Sequence, residues 1–277
     1  MMRRIVRQSL NRHPRMDGVF RRVIWSRVHF PEVELRVIAA LRNGSFDCAV
    51  DVGAALGSYA FVLMRKARHV VAYEPGSANG DYLAVATRGT NISLVRAAVG
   101  AEPGELDLFT GPRSEDAFTA TLSRANPIVQ TAGVVGRRVP VISLDDDLAR
   151  RVSRDARIDL VKIDVEGFEN AVIAGAAATI ERHKPVIVCE IEARHNAQYS
   201  MAFDTLRTAG YRVYFRRRGA WIVLSDNAIE RMQRADDFDL RTKVGGSDRD
   251  NFYINNFIFQ HPASRVSIIK NSDLARP

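Results

Sequence analysis

Asp51, Gly53 and Gly57 stand at the end of an apolar run, Phe46-Asp47-Cys48-Ala49-Val50-Asp51-Val52-Gly53-Ala54-Ala55-Leu56-Gly57-Ser58. A buried strand that ends on an acid, then a glycine-spaced turn, then a helix start is the usual opening of a nucleotide-binding α/β sheet. The next apolar run, Val70-Val71-Ala72-Tyr73, ends on Glu74. An acid about 20 residues beyond the glycines, at the tip of the second strand, is placed to accept two ribose hydroxyls. The pair predicts an adenosine-based cofactor. A dinucleotide would bring a pyrophosphate to the first turn, where Asp51 is unwelcome. The acid suits a positively charged tail instead, such as the methionine portion of S-adenosylmethionine.

A second charged block lies further on, Lys162-Ile163-Asp164-Val165-Glu166-Gly167-Phe168-Glu169. Asp164 is expected to close a strand on the edge where the cofactor lies. Carboxylates gathered there can take a proton from a substrate hydroxyl or hold a divalent metal. The following run, Val186 to Ile191, carries Glu190 at its end and His195 in the loop beyond. Asp164 is the first candidate for the catalytic base, Glu190 the second and His195 the third. Asp164 and Glu190 could alternatively hold magnesium.

These residues need a scaffold, and the pattern supplies one. From Phe46 onward strand and helix signals alternate, which predicts an α/β fold with a doubly wound, mostly parallel sheet. Strands are expected at Asp47–Val52, His69–Glu74, Ile92–Arg96, Ile158–Asp164, Val186–Ile191, Tyr211–Phe215, Trp221–Leu224 and Asn256–Gln260, the last ones antiparallel. Residues 1–44 read as a basic helical extension, with a helix starting at Pro31-Glu32. Residues 45–277 form the main domain, and about 101–157 form a β-rich insertion over the sheet edge, where acceptor contacts are expected.

The bulk numbers limit the alternatives. The chain has 277 residues, 46% of them hydrophobic, which is enough for a full core. Its two cysteines, Cys48 and Cys189, sit in apolar runs and read as reduced buried thiols, pointing to a cytoplasmic setting. No apolar run approaches the roughly 18 residues of a membrane span. The net charge of +8 and an arginine-rich start leave a nucleic-acid-binding protein or RNA methyltransferase as one alternative. Against it, the acidic site lacks a base-methylating Asn-Pro-Pro-aromatic motif. A nicotinamide dehydrogenase is a further alternative, disfavoured because position 55 is alanine rather than the middle glycine.

The blocks Val50 to Tyr59, Tyr73-Glu74-Pro75, Asn91 with Ala97-Ala98-Val99-Gly100, Ile142 to Asp146, Ile158 to Glu169 and Pro185 to Ile191 resemble the FkbM family of methyltransferases in order and spacing. The resemblance covers about residues 46 to 215. It implies a Rossmann-like class I methyltransferase that uses S-adenosylmethionine to methylate a hydroxyl oxygen of a natural product, sugar or lipid. Carried over, Asp51, Gly53, Gly57 and Ser58 shape the methionine and ribose pocket. Glu74, beside Pro75, holds the ribose hydroxyls, and Ala98 and Val99 border the adenine. One position departs from the family: asparagine is usual where Ala55 stands. Alanine adopts left-handed backbone poorly and offers no local hydrogen bond, so a non-catalytic scaffold of the same fold is also an alternative.

Overall fold

The computed structural model describes residues 32–111, 120–124, 126–130, 132–226, 229–234 and 253–275. The arginine-rich residues 1–31 lie outside that set. Helix α1 (Val33–Ala40) begins at the expected place. Its Val33, Leu35 and Ile38 are buried in the same apolar cluster as Phe46 and Phe61.

Strand β1 (Phe46–Val52) leads through the glycine turn into α2 (Ser58–Lys66). Then come β2 (Ala67–Tyr73), α3 (Ser77–Ala86) and β3 (Ile92–Val95). A short β4 (Ala98–Gly100), β5 (Gly104–Thr110) and β6 (Val135–Ser143) follow, then α4 (Leu144–Arg151). The order continues with β7 (Ile158–Ile163), α5 (Glu169–Ala174), α6 (Ala177–His183), β8 (Val186–Glu190) and α7 (Ser200–Thr208). The chain closes with β9 (Arg212–Arg217), β10 (Ala220–Val223) and β11 (Asn256–Gln260).

Eight strands form one sheet in the order β10-β9-β11-β8-β7-β1-β2-β3. The run from β8 to β3 is parallel. Strand β11 is antiparallel to both its neighbours, and β10 is antiparallel to β9. The fold is therefore the expected mixed α/β, Rossmann-like arrangement. Period-two alternation divides the core between two faces. Cys48, Val50 and Val52 pack with Leu144, Val172 and Phe203 from the later helices. Ala49 faces the other way, in a cluster with residues of α1, α2 and α3, and Phe46, ahead of the register irregularity at Cys48–Ala49, joins that cluster. Each fully buried Val, Leu, Ile or Phe contributes about 1.5–3 kcal/mol, so both faces are held strongly.

The insertion is β-rich, as its alternating runs predict. β4, β6 and β5 make a separate three-stranded sheet, with β4 parallel and β5 antiparallel to β6. The three residues of β4 are too short a run to read as a strand. Helix α4, also inside the span 101–157, has clear local causes. Ser143 caps it by accepting from the Asp146 N–H at 3.5 Å, three aspartates occupy its first turn, and Arg150 and Arg151 its last. Those charges match the helix dipole at both ends. The run Arg216-Arg217-Arg218 falls at the β9–β10 hairpin, the exposed turn its flanking strands imply.

Candidate active site

Parallel strands deliver their C-terminal ends to one edge, so the chemistry collects there. A cleft over β1, β2 and β7 is lined by Asp51, Gly53, Ala55, Ser58, Glu74 and Pro75, by Ala98 and Val99, and by Lys162, Asp164 and Glu166. Leu108, Ala120 and Leu122 of the insertion form part of its wall. Asp145, Leu148 and Arg182 line a separate cavity elsewhere on the molecule.

The turn after β1 is tied to β2 and β7. The Gly53 and Ala54 N–H groups both donate to the Tyr73 carbonyl at 3.0 Å, and the Asp164 N–H donates to the Val52 carbonyl at 3.0 Å. Gly53 has φ +80, and a Cβ there would stand 1.9 Å from the Asp164 carbonyl oxygen. Only glycine lets β1 and β7 approach this closely while leaving room above them. Gly57, at φ +83, starts α2 with no side-chain cap. The sequence expects it in the cofactor pocket, but it is not among the residues lining the cleft; its α-carbon faces Phe61 and Leu83, leaving no space for a Cβ.

Glu74 is 5% exposed, and both its oxygens are engaged. One accepts from the Ala55 N–H and the other from the Gly76 N–H, each at 2.7 Å. Burial pushes its carboxyl up to about 7, against the pull of these donors. Asp51 is 2% exposed, and its Oδ2 has no partner. Burial pushes it too up to about 7, opposed mainly by Lys162. A buried carboxylate oxygen without a donor costs free energy unless a ligand supplies one. Asp51, Glu74 and the Gly53 turn therefore fit a cationic, ribose-bearing cofactor.

Lys162 also lines the cleft, at 1% exposure. It pairs in register with Asp51 across β1 and β7. Its Nζ donates to the Ile163 carbonyl at 3.3 Å, stands 3.5 Å from Asp164 Oδ2 and lies 5.0 Å from the centre of the Tyr59 ring. Burial works against its charge, but Asp164, Glu190 and Glu32 more than offset that and hold the ammonium above its usual range. Sequence reading missed Lys162 as a site residue because a lysine inside an apolar run reads as an internal ion-pair partner. Its signal was the acid two residues later. Glu32, just ahead of α1, also lines the cleft, although nothing in its local pattern singles it out.

Asp164 lines the cleft with its side chain 34% exposed. Glu190 and His195 do not line it. Glu190, half-buried at the end of β8, is bonded to Asn255; burial, then Asp164, pushes its carboxyl well above the usual range. His195 Nδ1 stands 2.6 Å from Glu166 Oε2 and 3.7 Å from Glu192 Oε2, so it backs Glu166 rather than facing the opening. Glu166 itself has φ 48, and its carbonyl accepts from Thr121 at 2.7 Å and Asn126 at 2.9 Å, which fastens the insertion to this turn. Among the described residues, no group of three or more His, Cys, Asp or Glu side chains can hold a metal ion. Asp164 is paired with Lys162 and Glu190 with Asn255, so the magnesium alternative finds no donor set there. No helix among the described residues is long and apolar enough to cross a membrane.

The FkbM methyltransferase domain matches residues 51–213, more than half of the chain. A methyltransferase FkbM from Methylobacillus flagellatus KT is 16% identical, with a TM-score of 0.46 over 85% of this chain and 47% of its own, so the present chain spans about half its length. An O-methyltransferase from Bacillus cereus, solved in complex with SAH, is 9% identical, with a TM-score of 0.44 over 89% of each chain. A precorrin-6y C5,15-methyltransferase from Geobacter metallireducens GS-15 is 13% identical, with a TM-score of 0.41 over 82% of this chain and 88% of its own. No curated protein matches the chain.

Proposed function

The chain belongs to the FkbM methyltransferase domain family, and we propose that it moves a methyl group from S-adenosylmethionine to a hydroxyl oxygen of a small molecule: a natural product, a sugar or a lipid. The observation that carries this reading is the unpartnered Asp51 Oδ2 in an acid-lined cleft beside Glu74.

S-adenosylmethionine supplies a methyl already activated on a positively charged sulfur, so the protein's task is alignment and proton removal. Glu74 holds the ribose hydroxyls, while the Ala55 and Gly76 N–H groups fix its carboxylate. Asp51 Oδ2 accepts from the cofactor's ammonium. Gly53 keeps the floor clear, and Ala98 and Val99 give an apolar wall to the base. Asp164 faces the opening, where it would take the proton of an acceptor hydroxyl. Glu190 is held by Asn255, and His195 sets the position of Glu166 at the cleft wall. The wall formed by Leu108, Ala120 and Leu122 selects the acceptor.

The test is transfer of a labelled methyl from S-adenosylmethionine to panels of hydroxylated natural products, sugars and lipids, with RNA as a control. The reading expects label in an oxygen-linked methyl and its loss in Asp164→Asn. Label only in RNA, or full activity in Asp164→Asn, would overturn the acceptor class or the base respectively.

A further inference from the structure

We propose that Lys162 binds the carboxylate of the cofactor's methionine portion, completing a zwitterion site with Asp51. The inference rests on the cofactor reading above and adds a residue to it. Glu32, Asp51, Glu74, Asp164 and Glu166 line the cleft, and Lys162 is the one cationic side chain among the described residues that line it. The methionine portion carries an ammonium and a carboxylate. An ammonium finds several acids in this cleft, whereas a carboxylate finds its one cationic partner among the described lining residues in Lys162.

The topology places the two ends accordingly. The sheet runs β7-β1-β2, with Glu74 following β2 and Lys162 on β7. A ligand whose ribose is held at Glu74 extends across β1, past Asp51, to reach Lys162. Asp51 and Lys162 are direct neighbours in register, so one ammonium and one carboxylate on the same carbon can meet both. A lysine ammonium has three donors. One goes to the Ile163 carbonyl at 3.3 Å, and the Asp164 contact is a long 3.5 Å. Donor capacity is left for a ligand. The Tyr59 hydroxyl, buried beside this lysine without a hydrogen-bond partner of good geometry, adds a second polar atom at the same end of the cleft.

The experiment uses the full chain and calorimetric titration with two probes: S-adenosylhomocysteine, and its analogue lacking only the carboxylate, 5′-(3-aminopropyl)thio-5′-deoxyadenosine. The wild type should bind S-adenosylhomocysteine on the order of ten to a hundredfold more tightly than the analogue, the value of one charge-assisted hydrogen bond. Lys162→Met should erase that difference by weakening S-adenosylhomocysteine alone. Equal wild-type affinity for the two probes, or an equal loss for both in Lys162→Met, would overturn the proposal. The wild-type comparison stands by itself if the variant does not fold. A wild type that binds neither probe would contradict the cofactor reading itself, and this inference with it.

Discussion

The backbone N–H of Ala55 donates to the Glu74 carboxylate at 2.7 Å, so one hydrogen bond joins the turn after β1 to the tip of β2. To make it, Ala55 adopts φ 47, in the left-handed region that disfavours a Cβ. Ala55 thus makes this bond at a cost in strain. Ala55→Gly removes that strain and leaves the N–H in place. It should raise stability to urea by about 1 kcal/mol without weakening S-adenosylhomocysteine binding. A loss of stability would mean that alanine is not strained there.

Gly53 gives the opposite expectation. Its φ is +80, and a Cβ would overlap the Asp164 carbonyl. Gly53→Ala adds left-handed strain to a backbone clash, so unfolding measurements should show a loss of about 3 kcal/mol or more, with cofactor binding weakened. A variant of native stability would show that β1 and β7 do not approach as described.

Asp51 and Glu74 predict a pH dependence. Burial raises both carboxyls from ordinary values of 3.8 and 4.5 to about 7. Between those limits the folded protein keeps protons that the unfolded chain has released. Their contribution to the stability of the ligand-free protein is therefore full below about pH 4 and is lost as pH rises through 7. Ligand binding runs the other way, because an ammonium and ribose hydroxyls need ionised acceptors. S-adenosylhomocysteine affinity should rise from pH 6 to pH 8 and then level off, with up to about a tenfold change per group and pH unit below 7. A flat profile would contradict protonation of these acids in the free protein.

Arg265 offers a control away from the site. It reaches from the C-terminal segment to the buried Asp159, donating to Oδ1 at 2.8 Å, and Asp159 also accepts from the Asp47 N–H at 2.7 Å. Arg265→Ala leaves that carboxylate with only a backbone donor and should cost about 2 kcal/mol of stability. Cofactor affinity in the folded fraction should stay unchanged. A specific loss of binding would mean that the C-terminal segment acts on the cleft.

Much of the scaffold is legible in the chain because apolar runs mark buried strands. Each of the eight expected strands occurs within about two residues of its place, and the acids after them fall on one edge because the strands are parallel. What escaped reading depends on contacts between distant segments. Lys162 looks like an interruption until the register sets it beside Asp51. Glu32 belongs to the cleft only because Val33, Leu35 and Ile38 dock α1 on the core beside α2. Glu190 and Asp164 end neighbouring strands, yet of the two only Asp164 lines the cleft, while Glu190 is bonded to Asn255. Gly57 has the spacing of a ligand-contacting glycine but serves helix packing.

The most direct test of the central claim is calorimetric titration of the wild type and Glu74→Ala with S-adenosylhomocysteine, with NAD as the comparison ligand. The account predicts micromolar binding of S-adenosylhomocysteine to the wild type, no comparable binding of NAD, and loss of the signal in a folded Glu74→Ala. A folded wild type that ignores S-adenosylhomocysteine, or a Glu74→Ala variant that binds it as tightly as the wild type, would contradict the account.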